Sequence, residues 1–218
     1  MQVFKHHVIF DEITYDRQKL ENFVNRFIDN TSDFSEWSNQ IADPMGNRRF
    51  KTIPLFKCID TEKIEGKGLL EYPEIAELAN LFSFDRPLNK RSVDILVYEP
   101  GYVFAPHVDF YMYAGIMFPI MPDDGGEPID FYEKEGLDRQ RATGYAKELK
   151  ESDITYSYTY STIHPSMFNG LTIHGVRQVQ KRRVFLRFKM VDDTFSGVIR
   201  KQQLGKFIKT PYNALENK

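Results

Sequence analysis

Hydrophobic residues follow two different periods along this chain, and the change comes at about residue 92. Before it, apolar positions recur at helical spacing. In DRQKLENFVNRFIDN, Leu20, Phe23, Val24, Phe27 and Ile28 share one face, the stripe of an amphipathic helix that buries one side. YPEIAELANLFSF predicts a second helix from Pro73, because proline suits a first turn and Ile75, Leu78 and Phe82 then align. The polar, turn-rich run from Asn30 to Arg49 reads as surface chain anchored by Trp37. From Ser92 the period is two. SVDILVYEPG alternates like a strand, YVFAPHVDF resumes after a Pro-Gly turn, and GIMFPIM, PDDGGEP and IDFYE read as strand, turn, strand. ITYSYTYSTI, LTIHGVRQV and RRVFLRFKMV add strands rich in β-branched and aromatic residues, with IHPSMFNG as a turn between the first two. The charged stretch KEGLDRQRATGYAKELKESD reads as an excursion from the β scaffold, either a gating lid or a surface insertion. Together these elements predict one mainly β domain, an antiparallel sandwich or barrel with N-terminal helices packed on it. Its parts are a helical support region at 1–91, a β core at 92–191 with an insertion at 133–155, and an extension at 192–218.

Composition narrows the classes. With 218 residues and 41% hydrophobic content the chain can bury a sizeable core. A formal charge of −2 argues against a dedicated nucleic-acid binder. The balance is uneven, since eleven Lys or Arg face three acidic residues from Arg177 onward, which fits a solvated surface or, as the sharper reading, a site for an anion or a polyanionic partner such as nucleic acid. The single cysteine, Cys58, excludes an internal disulfide and a cysteine-rich metal site, and suits a reducing compartment. No stretch has the form of a secretory leader or of a membrane span, so a soluble, cytoplasmic protein is expected.

The chemistry concentrates in YVFAPHVDF. On a strand, residues i and i+2 point to one face, so His107 and Asp109 project together while Val108 faces away. An imidazole and a carboxylate so placed, joined by a second histidine, form the two-histidine, one-carboxylate set typical of non-haem Fe(II). The chain has five histidines. His6 and His7 are adjacent and terminal, suggesting surface or local packing, and His164 precedes a proline in an apparent turn. His174, inside LTIHGV, is the preferred third ligand. Such a centre commonly takes its electrons from a 2-oxo acid, whose far carboxylate needs a cation. The planar fork of a strand arginine such as Arg182, Arg183 or Arg187 suits it.

These residues carry a family resemblance. YEPGYVFAPHVDF is similar to the Fe(II)- and 2-oxoglutarate-dependent dioxygenases, especially the prolyl 4-hydroxylase-like branch, with Tyr98 and Gly101 at that family's tyrosine and glycine. GIMFPIMPDDGGEPIDFYE resembles the strand, Gly-Gly-Glu turn and strand that follow, and HGVRQVQKRRVFLRFK resembles the distal histidine with its arginine. The resemblance spans roughly Ser92 to Met190. It implies a double-stranded β-helix, the cupin-like jelly roll, with iron held by His107, Asp109 and His174. It also implies that Arg183 binds the C5 carboxylate of 2-oxoglutarate, assisted by the Tyr98 hydroxyl. The activity implied is hydroxylation of a C–H bond with O2, with release of succinate and CO2 and with ascorbate as a candidate reductant. A peptidyl proline is the natural substrate, and amino acids, small metabolites and nucleobases are the alternatives.

Three features complicate this. Pro119 interrupts a strand, which should therefore be an edge, bulged or shortened. Alternation in RRVFLRFKMV puts Arg183, Phe185, Arg187 and Lys189 on one face and Arg182, Val184, Leu186, Phe188 and Met190 on the other. If the apolar face points into the barrel, the anchor is Arg182; the spacing from His174 favours Arg183. An inward Arg183 brings Arg187 with it, and a second cation needs an acidic partner or an anionic substrate. Arg187, Tyr111, Tyr113 and Phe131 are thus candidates for contacting substrate or supporting the site. Two other functions keep the same fold: a zinc-dependent hydrolase on the same three ligands, and a non-catalytic metal-binding jelly-roll module.

Overall fold

The structure is a computed structural model and describes residues 1–28, 50–54, 72–86, 88, 93–109, 114–137, 145–190 and 193–209. In chain order its strands are β1 (Gln2–Val3), β2 (His7–Ile9), β3 (Phe50–Pro54), β4 (Val93–Tyr98), β5 (Phe104–His107), β6 (Ala114–Met121), β7 (Ile129–Tyr132), β8 (Ile154–Tyr158), β9 (Ser166–Asn169), β10 (His174–Val176) and β11 (Arg183–Met190). The helices are α1 (Arg17–Ile28), α2 (Pro73–Ala79) and α3 (Phe195–Gln203). The larger sheet runs β1-β2-β9-β6-β11-β4-β3 and the smaller β5-β10-β7-β8, all ladders antiparallel.

From β4 onward the chain is one long hairpin wound on itself. β4 pairs with β11, β5 with β10, β6 with β9 and β7 with β8, and successive turns of the hairpin alternate between the sheets. That pairing defines a double-stranded β-helix. The stretch read from sequence as an excursion, 134–153, falls between β7 and β8, and its described residues are 134–137 and 145–153. Two short 3-10 turns, Tyr145–Lys147 and Glu151–Asp153, fall in the tip.

Both faces of the larger sheet are covered. Ile95, Ile116, Phe118, Val184, Leu186 and Phe188 face outward and pack with Leu20, Phe23 and Val24 of α1, Ile75 and Leu78 of α2 and Val198 of α3. The amphipathic stripe of α1 therefore ends in a buried layer, as its spacing predicts. At the start of α1 the Asp16 carboxylate accepts from Lys19 N at 2.9 Å, and Thr194 Oγ1 accepts from Gly197 N at 3.0 Å before α3. Both satisfy donors a helix end leaves open. The inward residues Leu96, Met117, Phe168 and Phe185 meet Ile129, Phe131 and Val176 of the smaller sheet.

Two differences from the sequence reading have physical causes, and the expectation at Pro119 holds in one of its three forms. Ser166–Asn169, read as a turn, is β9; it is only four residues long, follows Pro165, and sends Met167 and Phe168 into different layers. The region before residue 92, read as helical, also supplies β1, β2 and β3 to the larger sheet. Pro119 neither shortens β6 nor puts it at the edge, because β6 runs eight residues between β9 and β11. The strand is bulged, the third form expected: Met121 faces Val184 and Pro119 faces Phe185, so β6 carries one extra residue, Ile120, beside the proline. β9 pairs with β6 only as far as Met117, so Pro119 lies past its end, and the Pro119 carbonyl accepts from the Tyr15 hydroxyl at 2.6 Å. An extended residue points its N and C=O to one side, so the missing N–H removes no ladder bond. Among the described residues no helix is long and apolar enough to cross a membrane. The surface run at 30–49 with Trp37, and Cys58, lie outside the described residues.

Candidate metal centre

The register of β5 against β10 sets His107 directly opposite His174. Their ring centroids are 4.2 Å apart. Asp109, two residues beyond His107, returns to the same side, with Oδ1 3.5 Å from His107 Nε2 and Oδ2 3.7 Å from His174 Nε2. One ligand atom from each of the three lies within 4.8 Å of the others. Gly175 permits the approach, since a Cβ there would stand 2.8 Å from the Phe104 carbonyl oxygen.

Protonation follows from hydrogen bonding. His107 Nδ1 is 3.0 Å from the Ala105 carbonyl and His174 Nδ1 is 2.8 Å from that of Thr172. A carbonyl only accepts, so each Nδ1 carries the proton and each Nε2 keeps a lone pair. Both Nε2 atoms are buried without a hydrogen-bond partner among the described residues. Burial lowers His174 to about 4, and His107 adds to this against Asp109 and the Thr172 carbonyl. At Asp109 burial pushes upward, but His107, His174 and Arg187 outweigh it and leave the carboxyl at about 2. With Nδ1 of each ring turned to a backbone carbonyl, the two Nε2 atoms and the Asp109 carboxylate thus converge on one point. A divalent cation fits that arrangement.

The same pocket holds a cation. Arg183 and Tyr98 are paired across the β4–β11 ladder, and both line the pocket with Asp109 and His174. Phe104 lies between, its ring 4.0 Å from His107 and 6.0 Å from Tyr98. Arg183 is 1% exposed, and its Nε and Nη2 have no hydrogen-bond partner among the described residues. Its guanidinium carbon is 5.1 to 5.9 Å from the rings of Phe185, Tyr160 and Tyr98. Gly126, at φ +71°, comes so close that a Cβ would be 3.2 Å from Arg183 Nε. Burial raises the Tyr98 phenol to about 12, against Arg187 and Arg183, so its proton stays on at neutral pH.

Arg182 lies on the opposite face, half-exposed and 3.2 Å from Glu99. The apolar face of β11 does travel with Arg182, but it meets the helices and not the barrel interior. Arg187 points inward with Arg183, lines the pocket, and pairs with the buried Asp94 at 2.7 Å. Phe131, opposite His174 on β7, is fully buried, with His6 stacked on it at 4.9 Å and His174 at 6.2 Å. Tyr111 and Tyr113 lie outside the described residues. His6 and His7 are buried and packed, the second of the two positions expected for them. His7 stacks on Tyr158 at 3.7 Å and lies 3.0 Å from the Tyr156 hydroxyl. His164 Nδ1 meets the Ile13 carbonyl at 2.8 Å, away from the triad. Val108, between the ligands, packs with Tyr145, Leu149 and Ile173, so the described part of the hairpin tip braces the back of the ligand strand.

Two pocket features escaped the sequence reading. Tyr160 needed the winding of the hairpin to reach Arg183. Asp94 had a signal, a carboxylate at alternate spacing with Leu96 and Tyr98 inside an apolar strand, which on a buried face calls for a cation.

No family model matches the chain, and no curated protein matches its sequence. Solved structures are similar in fold. HygX from Streptomyces hygroscopicus, with nickel and 2-oxoglutarate bound, is 11% identical over 86% of this chain and 84% of its own, at a TM-score of 0.48. Its complex with nickel, 2-oxoglutarate and hygromycin B is 12% identical over the same shares, at 0.45. A Pseudomonas putida prolyl-4-hydroxylase is 11% identical over 79% of this chain and 84% of its own, at 0.38. The chain's own strand order carries the fold assignment: it is a double-stranded β-helix that gathers His107, Asp109, His174 and Arg183 around one interior pocket.

Proposed function

We propose that this chain is an Fe(II)- and 2-oxoglutarate-dependent dioxygenase that hydroxylates a C–H bond. The observation that carries this reading is Arg183: a fully buried guanidinium, with two nitrogens unpartnered among the described residues, in the pocket also lined by Asp109 and His174, two of the three metal-ligand side chains. A buried cation without a counter-ion costs several kcal/mol, and a dianionic co-substrate that also reaches the metal relieves it. A hydrolase has no use for such an anchor.

His107 and His174 present Nε2 lone pairs fixed by their backbone carbonyls, and Asp109 supplies the one anionic ligand. The planar fork of Arg183 receives the far carboxylate of 2-oxoglutarate, and the protonated Tyr98 hydroxyl is placed to donate beside it. Bound Fe(II), with 2-oxoglutarate and O2, supplies the oxidant for C–H hydroxylation and releases succinate and CO2. Leu96, Met117, Phe168 and Phe185 keep the pocket apolar between its polar groups and exclude water.

The test is anaerobic titration of the metal-free protein with Fe(II) and 2-oxoglutarate. A visible metal-to-ligand band that needs both additions, and that His174→Ala abolishes, is expected. Tight zinc binding without the band points to the zinc hydrolase. Metal-dependent melting with neither the band nor 2-oxoglutarate consumption points to the non-catalytic module.

A further inference from the structure

The inward face of β11 carries more positive charge than the proposed cofactors consume. Beyond Arg183 the face continues through Phe185 to Arg187 and Lys189. Arg187 Nη2 donates to Asp94 Oδ2 at 2.7 Å, and Lys189 Nζ lies 3.1 Å from Asp94 Oδ1, so one buried carboxylate serves two cations. Arg187 Nε is buried and has no hydrogen-bond partner among the described residues. Arg187 lines the metal pocket, whose one acidic lining residue among those described is Asp109. Lys189 is the more open, its side chain 29% exposed, one alternate position further from Arg183.

Counting charge gives a direction. Arg183, Arg187 and Lys189 carry three positive charges, against Asp94 and Asp109. A divalent metal and a dianionic 2-oxoglutarate cancel each other, so among the described residues one positive charge remains in a half-buried site. Such a charge is strongly unfavourable unless something anionic meets it. Burial also lowers the Lys189 ammonium, with Asp94 opposing and Arg187 adding to the lowering.

We propose that Arg187 and Lys189 form the substrate's anion subsite, so that the molecule oxidised carries a carboxylate or phosphate next to the hydroxylated carbon skeleton. This rests on the dioxygenase reading, and it places an acid, not an uncharged peptidyl proline, in the pocket. Leu96, Met117 and Phe168 offer the apolar wall against which the rest of that molecule packs.

The test is calorimetry on the full chain loaded with Ni(II) and then 2-oxoglutarate. Each loading is measured first, so a failure of the dioxygenase reading shows as absent 2-oxoglutarate binding before the subsite is probed. The probes are phenylacetate, its neutral counterpart phenylacetamide, phenyl phosphate, and the shape-free anions acetate and inorganic phosphate. At least one anion is expected to bind in the millimolar range or tighter. Phenylacetate or phenyl phosphate should exceed phenylacetamide by about tenfold, which one bidentate charged contact supplies. The better of the two distinguishes carboxylate from phosphate. Lys189→Met, and Arg187→Gln combined with Asp94→Asn to avoid an orphaned carboxylate, should each bring the anion and the amide to within about twofold while 2-oxoglutarate binding is kept. Equal binding of acid and amide by the unaltered protein overturns the proposal. So does the absence of any anion binding, an anion preference that survives both variants, or loss of 2-oxoglutarate binding with Arg187, which makes that residue part of the co-substrate site.

Discussion

Gly175 and Phe104 touch backbone to backbone: the place a Cβ would occupy on Gly175 is 2.8 Å from the Phe104 carbonyl oxygen, and the residue before Gly175 is His174. The separation of His107 from His174 is therefore set by how closely β5 lies on β10. Gly175→Ala should push these strands apart. We expect metal affinity to fall about 10- to 100-fold, as for loss of groups that orient ligands, with the far-ultraviolet dichroism unchanged. Competition against a chelator of known affinity measures it.

Arg183 predicts an unusual trade. Arg183→Met removes a buried unpaired charge, so the metal-free protein should unfold at higher urea, gaining about 1–4 kcal/mol. The same substitution should weaken 2-oxoglutarate binding by the Ni(II)-loaded protein by about 100-fold or more, the loss of two charge-assisted hydrogen bonds. Urea titration and calorimetry on one preparation read both effects. A less stable variant that still binds 2-oxoglutarate would sink the assignment.

Metal binding should appear as stability. At about a hundredfold excess over Kd, a ligand that binds only the folded state adds about 2.7 kcal/mol. The melting temperature of the protein should therefore rise with added Ni(II) and stop rising in Asp109→Ala, while His164→Gln, away from the triad, keeps the full rise. Differential scanning calorimetry with and without metal separates the cases.

Acid should weaken the fold through buried histidines. Burial, with a smaller contribution from His6, lowers His7 to about 4 from an ordinary 6.5. Between these values the unfolded chain binds the proton and the folded one does not. The stabilisation is therefore complete above about pH 6.5 and is lost as pH falls toward 4. His174, also lowered to about 4, follows the same course in the metal-free protein. His7→Phe keeps the stack on Tyr158 but cannot take a proton, so its urea midpoint should fall less between pH 7 and pH 4.5 than that of the unaltered chain. Parallel urea curves at the two pH values decide it.

How much of this was legible depended on range. The His107–Asp109 pair could be read because a strand's period of two is local, and the stripe of α1 because a helix's period is local too. The face of β11 could not. Sequence hydrophobicity makes Val184, Leu186 and Phe188 look like barrel interior, yet they meet α1, α2 and α3, while the barrel side carries Arg183 and Arg187. A sheet covered on both sides has two buried faces, and the more polar one belongs to the pocket. β9 was missed for a related reason, since its residues divide between two layers and show no alternation. The pairing of Arg187 with Asp94 depends on a register 93 residues apart in sequence.

The Tyr15–Pro119 contact has a consequence outside the folded monomer. Past the end of β9, one side of β6 has no strand neighbour among the described residues, and such an open margin can recruit a strand from another molecule. Here Pro119 offers no donor, and its acceptor is already held by a tyrosine two residues before α1. A stray chain would have to strip Tyr15 away before adding itself to the sheet. The contact thus protects the widest sheet of the molecule against self-assembly.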